Sequence, residues 1–504
     1  MNKPYTITIS FIVALGGFLL GFDSAVISGA VNGISHYFSM NDWELGFSVG
    51  CVIFGAMFGN IVAGPLSDRF GRKSVLLITA VLFTVSALWS ATATSYLSFV
   101  IARIIGGIGI GGAILIAPIY IAEVAPPKLR GSLVSLNQLN IVLGISVAYF
   151  SNYFLIDISA ESWRWMLGVE ALPAFLYFVA LFIVPKSPRW LIQKLNNTQL
   201  AEKTLVKIGG KSFADETIKE ILGGMSKKQE KGSYASFFSP KMTTILIIAF
   251  GLAFFQQITG INAIFYYAPS IFEQAGGSTD SALLQAIVVG LTNLIFTLVA
   301  IRLIDRLGRK PLLIIGTAAM TLALSLATLA FSNATYHLTA NPIAQVEDAE
   351  VKAALTTLET ASYDSQEALF TALQPLVTSD QLLAFKRNEV KKFISIDANL
   401  VLLAILLYVA AFAISLGPVM WTMLSEIFPG NVKGIAISAV GFFNSLVSYT
   451  VTQFFPWELT NLGPTLTFAI YAAMALLSLL FVVKFVVETK GKTLEELEAI
   501  LIRP

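Results

Sequence analysis

Apolar residues run along this chain in long unbroken stretches rather than in alternation. Twelve stretches reach, or nearly reach, the ~20 residues that an α-helix needs to cross a bilayer. They cover 6–31, 44–66, 74–94, 97–122, 131–154, 165–184, 242–272, 281–303, 311–332, 398–424, 434–456 and 464–486. A β-barrel would instead show alternating segments of about ten residues. The pattern predicts an all-α integral membrane protein with twelve transmembrane helices. The first stretch follows Lys3 as a signal peptide might follow its basic start. It is too long for one, holds Asp23 and lacks a small-residue cleavage site, so it is expected to stay in the protein.

Two segments lie outside the spans. Residues 185–241 are polar and carry eleven Lys or Arg; residues 333–397 carry nine Asp or Glu. The expected organisation is a six-helix half over 1–184, a linker with short helices over 185–241, and a second six-helix half over 242–486 that includes the 333–397 insert. A tail follows over 487–504. In the insert, AEVKAALTTLET and SDQLLAFKRNEVKKF read as helical. Of the 33 Lys and Arg, 26 fall on the side of the N-terminus, six on the other side, and Arg103 inside a span. Basic connections stay in the cytoplasm. Both termini are therefore expected there, in a multi-pass protein of the plasma or inner membrane.

Composition agrees. Charged residues are 13% of the chain, about half the usual globular share, and mean hydropathy is +0.75. The formal charge of +2 gives no reason to expect nucleic acid as a partner. One cysteine, Cys51, and two histidines, His36 and His337, argue against a disulfide framework or a metal site. The run GGIGIGG at 106–112 lies inside a span with no preceding strand, so it reads as close helix packing and not as a nucleotide loop. Nothing in the spans suggests a nucleophile–base pair or a cofactor motif, so no enzyme activity and no cofactor are expected. Nothing demands more than a monomer.

The chain also repeats itself. SDRFGRK (67–73) recurs as IDRLGRK (304–310), and EVAPPKLRG (from Glu123) recurs as EIFPGNVKG (from Glu426). All four motifs fall on the N-terminal side. Asp68, Arg72, Glu123, Arg130, Asp305, Arg309 and Glu426 read as ion pairs that would clamp the two halves at the cytoplasmic mouth when the path faces outward. Two similar halves rocking about a central site is the major facilitator architecture.

Intramembrane amides are costly unless satisfied, so several of them imply a ligand or a network. Span seven reads FFQQITGINAIFYY, with Gln256, Gln257, Asn262 and Tyr266 in an apolar helix and Gly260 placed to loosen its backbone. Gln138, Asn293, Trp421 and Asn444 lie in spans five, eight, ten and eleven. Amides donate and accept at once, and rings cover sugar faces.

At these motifs the chain resembles the sugar porter family of the major facilitator superfamily. GPLSDRFGRK, RIIGGIGIGG, PIYIAEVAPPKLRGSLVSLNQ, SPRWL, QQITGINAIFYY, GPVMWTMLSEIFP and ETKGKTLEELE carry the resemblance, which spans nearly everything except the insert. Among its members the chain resembles bacterial proton-coupled pentose and hexose symporters, and mammalian glucose facilitators share much of the pattern. The resemblance implies monosaccharide transport by alternating access. It also implies sugar contact at Gln138, Gln256, Gln257, Asn262, Tyr266, Asn293, Trp421 and Asn444. Leu20, Leu416 and Ser445 stand where the family often has rings, and Lys186 replaces its usual acid beside SPRWL.

Asp23 in span one and Arg103 in span four lie at similar depths, counted at 1.5 Å per residue. Pairing would offset the cost of burying each, and an isolated buried carboxylate favours its neutral form. Such an element responds to proton and sugar together. Proton-coupled members carry Asp at this place and many uncoupled facilitators Asn, so sugar–proton symport is expected, with Glu170 in span six as a second buried acid. The rival readings are an uncoupled facilitator and, from another class, a sugar receptor. A receptor would be expected to carry a longer signalling tail than the few residues after ETKGKTLEELE.

Overall fold

The structure is a computed structural model that describes residues 2–226, 237–429, 432–492 and 494–501. Among the described residues, eleven helical segments are long and apolar enough to cross a membrane. The 29-residue helix α5 (Pro127–Leu155) is the twelfth long segment. The first half contains α1 (Lys3–Tyr37), α2 (Asp42–Phe70), α3 (Arg72–Thr92), α4 (Tyr96–Val124) and α5. A sixth span follows, broken into α6 (Ser162–Gly168) and α7 (Ala171–Leu181). Three short helices, α8 (Pro188–Leu195), α9 (Thr198–Gly209) and α10 (Lys211–Ser226), form the linker.

The second half opens with a span broken into α11 (Thr243–Ile258), α12 (Ile261–Tyr266) and α13 (Ala268–Gln274). It continues with α14 (Thr279–Leu307) and α15 (Arg309–Ser332). The insert then contributes α16 (Ala340–Ala344), α17 (Ala349–Thr357), α18 (Gln366–Leu373) and α19 (Ser379–Asn388). After it come the broken span α20 (Ala398–Ile414) and α21 (Leu416–Ile427), then α22 (Lys433–Asn461), α23 (Gly463–Phe485) and the tail helix α24 (Leu494–Leu501).

Local chemistry sets the ends. Asn41 caps α2 by accepting from the backbone N–H groups of Trp43 and Glu44, both at 3.0 Å, while Glu44 accepts from the Asn41 N–H. The spans are apolar on the outside too: Phe154, Leu172 and Ile183 are exposed, as lipid-facing positions should be. Inside, small residues bring helices close. A Cβ on Gly107 would lie 2.2 Å from the Val52 carbonyl, and one on Gly111 would lie 2.2 Å from that of Ala56. The GGIGIGG run thus brings α4 close to two helices, through Gly107 and Gly111 to α2 and through Gly106, Gly109 and Gly112 to α3.

The N-terminus, the linker and the tail share one side of the bundle, called here the linker side. Asn2 bonds to the Ile208 carbonyl in the linker, and α24 packs on the end of α21. The opposite face, the insert side, carries residues 333–397. The insert holds helices in both runs the sequence suggested. It also has an unforeseen three-stranded antiparallel sheet, with β1 (Thr335–His337) between β2 (Ser362–Tyr363) and β3 (Ile394–Ser395). Leu338, Leu355, Leu369, Leu373, Phe385 and Phe393 form a core of its own.

Among the described residues, every hydrogen bond between the halves lies toward the insert side. Ser146 on α5 donates to the Gly290 carbonyl on α14 (3.0 Å), Tyr149 to that of Phe265 (2.7 Å), and Gln453 on α22 to that of Trp43 (2.8 Å). The insert-side entrance is closed, and among the described residues no hydrogen bond or ion pair ties the halves on the linker side.

Candidate functional site

Span seven breaks at Gly260, whose φ of +91° favours a residue without a side chain. A Cβ there would also come within 2.7 Å of the Tyr471 ring. The break leaves backbone groups without helical partners, and Tyr408 on α20 satisfies one by donating its hydroxyl to the Thr259 carbonyl (2.9 Å).

Gln256 and Gln257 sit just before this break and Asn262 just after it. Asn444 faces them from α22. Asn444 Nδ2 donates to Gln256 Oε1 (2.9 Å), Gln257 Nε2 to Asn444 Oδ1 (3.1 Å), and Asn262 Nδ2 to Gln257 Oε1 (2.9 Å). Gln256 Nε2 reaches the carbonyls of Leu416 (2.9 Å) and Gly417 (3.3 Å), where span ten is broken. Four of the expected amides therefore form one network across three spans. The sequence reading missed a fifth member, Ser448, whose hydroxyl accepts from Asn262 Nδ2 at 2.5 Å. It lies one helical turn beyond Asn444, so periodicity along α22 could have found it.

Trp421 is exposed, one turn along α21 from Gly417, and its ring lies 3.7 Å from where a Gly441 side chain would begin. Gly441 is one turn from Asn444, so this ring borders the amide network. Tyr266, one turn from Asn262, stands buried beside Ser24 and Asp23 of α1. Gln138 is exposed on the stripe of α5 that continues through Val142, Ile145 and Tyr149 toward the second half. Asn293 is buried on α14, one turn below Gly290. Neither makes a hydrogen bond to the network among the described residues, so these two are near neighbours of the half-to-half boundary rather than members of the cluster. Of the positions that lack family rings, Leu416 is fully buried and contributes its carbonyl, while Leu20 and Ser445 are half-buried.

Asp23 and Arg103 form an ion pair with both side chains 2% exposed. Arg103 also donates to the Asp23 carbonyl at 3.4 Å. Glu170 lies in the break between α6 and α7 and acts electrostatically on both. Asp23 Oδ2, Arg103 Nε and Glu170 Oε1 have no hydrogen-bond partner among the described residues. Two buried carboxyls thus lie within electrostatic reach of one guanidinium, which is paired with Asp23. Such a site is costly with both acids charged, and a single proton would neutralise it.

On the linker side, Arg72 bonds to Glu123 (3.0 Å) and Asp68 (3.0 Å). Arg309 repeats this with Glu426 (2.7 Å) and Asp305 (3.4 Å). Each network stays inside one half; among the described residues no pair crosses the mouth. The pairs expected to clamp the halves instead tie together the helices of each half, as a structure untied on this side requires. The Arg130 side chain lies outside the described residues. Lys186 costs the network nothing visible: its Nζ lies 5.8 Å from the centre of the Trp190 ring, and the neighbouring Ser187 donates to Glu123 at 2.5 Å. The two motif copies also share a corner. Gly71 (φ +90°) and Gly308 (φ +96°) both turn the chain, but Trp190 fills the space at the first and Glu488 at the second.

Residues 9–346 and 375–501 match the sugar (and other) transporter family. The chain is 36% identical to the D-xylose-proton symporter of Escherichia coli K12, over 99% of this chain and 96% of that protein. It is 34% identical to the arabinose-proton symporter of Bacillus subtilis, over 100% and 96%, and to a glucose transport protein of Synechocystis, over 98% and 97%. An inward-open structure of the E. coli xylose transporter superposes with a TM-score of 0.76 at 34% identity, covering 99% of this chain and all of that one. With such a match along nearly its whole length, the chain belongs to the sugar transporter family of the major facilitator superfamily.

Proposed function

We propose that this protein carries a monosaccharide and a proton together into the cell by alternating access, with both termini in the cytoplasm. The observation that carries the reading is the joint between two polar sites. The network of Gln256, Gln257, Asn262 and Asn444 supplies donors and acceptors suited to sugar hydroxyls. Tyr266, on the same short helix as Asn262, stands against α1 beside Asp23. A sugar that draws α12 inward also disturbs the packing around the Asp23–Arg103 pair, and this is how the two cargoes are coupled.

In this scheme Gln138, Asn293 and Trp421 complete the sugar site as the halves close. Asp23 gains its proton when Arg103 turns away, and Glu170 receives the guanidinium. The ion pairs of Arg72 and Arg309, internal to each half here, are joined by pairs across the cytoplasmic mouth when the path faces outward. The similar xylose-proton and arabinose-proton symporters support the coupled reading over an uncoupled facilitator.

The test uses purified protein in proteoliposomes. Sugars are screened by thermal shift across xylose, glucose, fructose, galactose and arabinose, and the best binder is taken into transport. An imposed pH gradient should drive uphill accumulation, with external alkalinisation as uptake begins. Asp23→Asn should abolish accumulation while exchange between preloaded vesicles continues. Accumulation that survives in Asp23→Asn removes Asp23 as the coupling group; uptake without proton movement in the unmodified protein makes it a facilitator.

A further inference from the structure

The insert does more than cover the bundle. It joins the second half at both ends, after α15 and before α20, and Ile394 packs close to Gly276 just beyond α13. Within it, Arg387 ends α19 and Lys391 follows four residues later in a 3-10 turn (Val390–Lys392). These two cations reach different halves. Lys391 Nζ lies 2.5 Å from Glu273 on α13, in the second half. Arg387 Nε lies 2.8 Å from Asp42, the first residue of α2, in the first half.

Both acceptors are buried, with side chains 7% (Asp42) and 4% (Glu273) exposed. Both also touch the opposite half directly. Asn32 on α1 donates to the two Glu273 oxygens at 3.0 and 2.9 Å, and Thr460 on α22 donates to Asp42 at 3.3 Å. So two buried carboxylates, one in each half, are bridged by a single turn of the insert. If the halves part on this side, both contacts cannot survive. The pair to Glu273 is internal to one half and persists; the pair to Asp42 crosses the boundary and must break, leaving a carboxylate short of its cation. The match to the transporter family is interrupted over 347–374, inside this insert.

We propose that the 333–397 insert is a latch on the insert-side entrance, with Arg387 as the residue that locks to Asp42 across the halves and Lys391–Glu273 as its anchor. Arg387 is a positioning residue: it sets the balance between the two access states without touching the cargo. This inference rests on the alternating-access part of the proposed function, and on neither the sugar nor the proton.

The test measures the distance between spin labels at Thr94→Cys and Asp280→Cys, on opposite halves of the insert side, in full-length Cys51→Ser protein in nanodiscs without sugar or gradient. Arg387→Gln should raise the ratio of insert-side-open to closed molecules about tenfold, the scale of losing one charged hydrogen bond. Arg387→Asp should do the same, and the exchange Asp42→Arg with Arg387→Asp should restore the closed distribution. If Arg387→Asp fails to fold, the neutral Arg387→Gln decides the matter alone. An unchanged distance distribution in Arg387→Gln overturns the latch. Because neither sugar nor a proton gradient is present, that failure is distinguishable from loss of transport in Asp23→Asn.

Discussion

Tyr149 on α5 donates its hydroxyl to the backbone carbonyl of Phe265, 2.7 Å away, and so ties the first half to the segment just past the Gly260 break. The bond must open whenever the halves separate on the insert side. Tyr149→Phe keeps the ring and removes only the donor. A buried neutral hydrogen bond contributes about 0.5–1.5 kcal/mol, so the insert-side-open population should rise by about two- to tenfold. Labels on opposite halves read this directly, and an unchanged distance distribution would show that the bond plays no part in holding the halves together.

Asn444 holds the amide network from the α22 side, bonding to both Gln256 and Gln257. Asn444→Ala should weaken sugar binding by about tenfold or more, because it removes a donor and an acceptor and leaves both glutamines short of a partner. Isothermal titration in detergent measures this. Unchanged sugar affinity would take Asn444 out of the binding site.

Glu488 follows the last span and anchors the tail. Partial burial pushes its carboxyl up, but the backbone N–H groups of Lys490, Arg309 and Lys310 donate to it and hold it below the usual carboxylate range. A depressed group stabilises the fold above its unfolded value, about 4.3 for glutamate, and loses that contribution as pH falls through the folded one. Glu488→Gln should therefore melt at lower temperature than the parent at pH 7, and the difference should vanish in acid below pH ~4. A difference that persisted at low pH would show that shape rather than charge secures this corner.

Much of this was legible because lipid enforces long apolar runs: each of the twelve spans could be bounded to within a turn or two from hydropathy alone. The Asp23–Arg103 pair was legible for the same reason, since a buried acid and a buried base at one depth have few alternatives. Gly260 announced the break in span seven; in span ten Pro418 cannot bond to the Ile414 carbonyl, so the helix breaks at Ser415, a signal the sequence reading left unused. The network was read residue by residue, yet its closure through Ser448 was not, because a single serine in a helix is usually satisfied by its own turn. The direction of the Arg72 and Arg309 pairs depended on which access state the protein adopts, and no local pattern carries that. The sheet in the insert escaped because strands of two or three residues leave no periodicity to detect.

The corners at Gly71 and Gly308 are the same turn inherited twice, and they have since acquired different plugs. An indole seals the first, with its Nε1 on the Asp68 carbonyl at 3.0 Å, and a carboxylate seals the second. Salt screens the carboxylate and scarcely touches the indole. Two near-twin halves that share their Arg72 and Arg309 ion pairs thus differ at the corner beside them, where ionic strength reaches one plug and not the other.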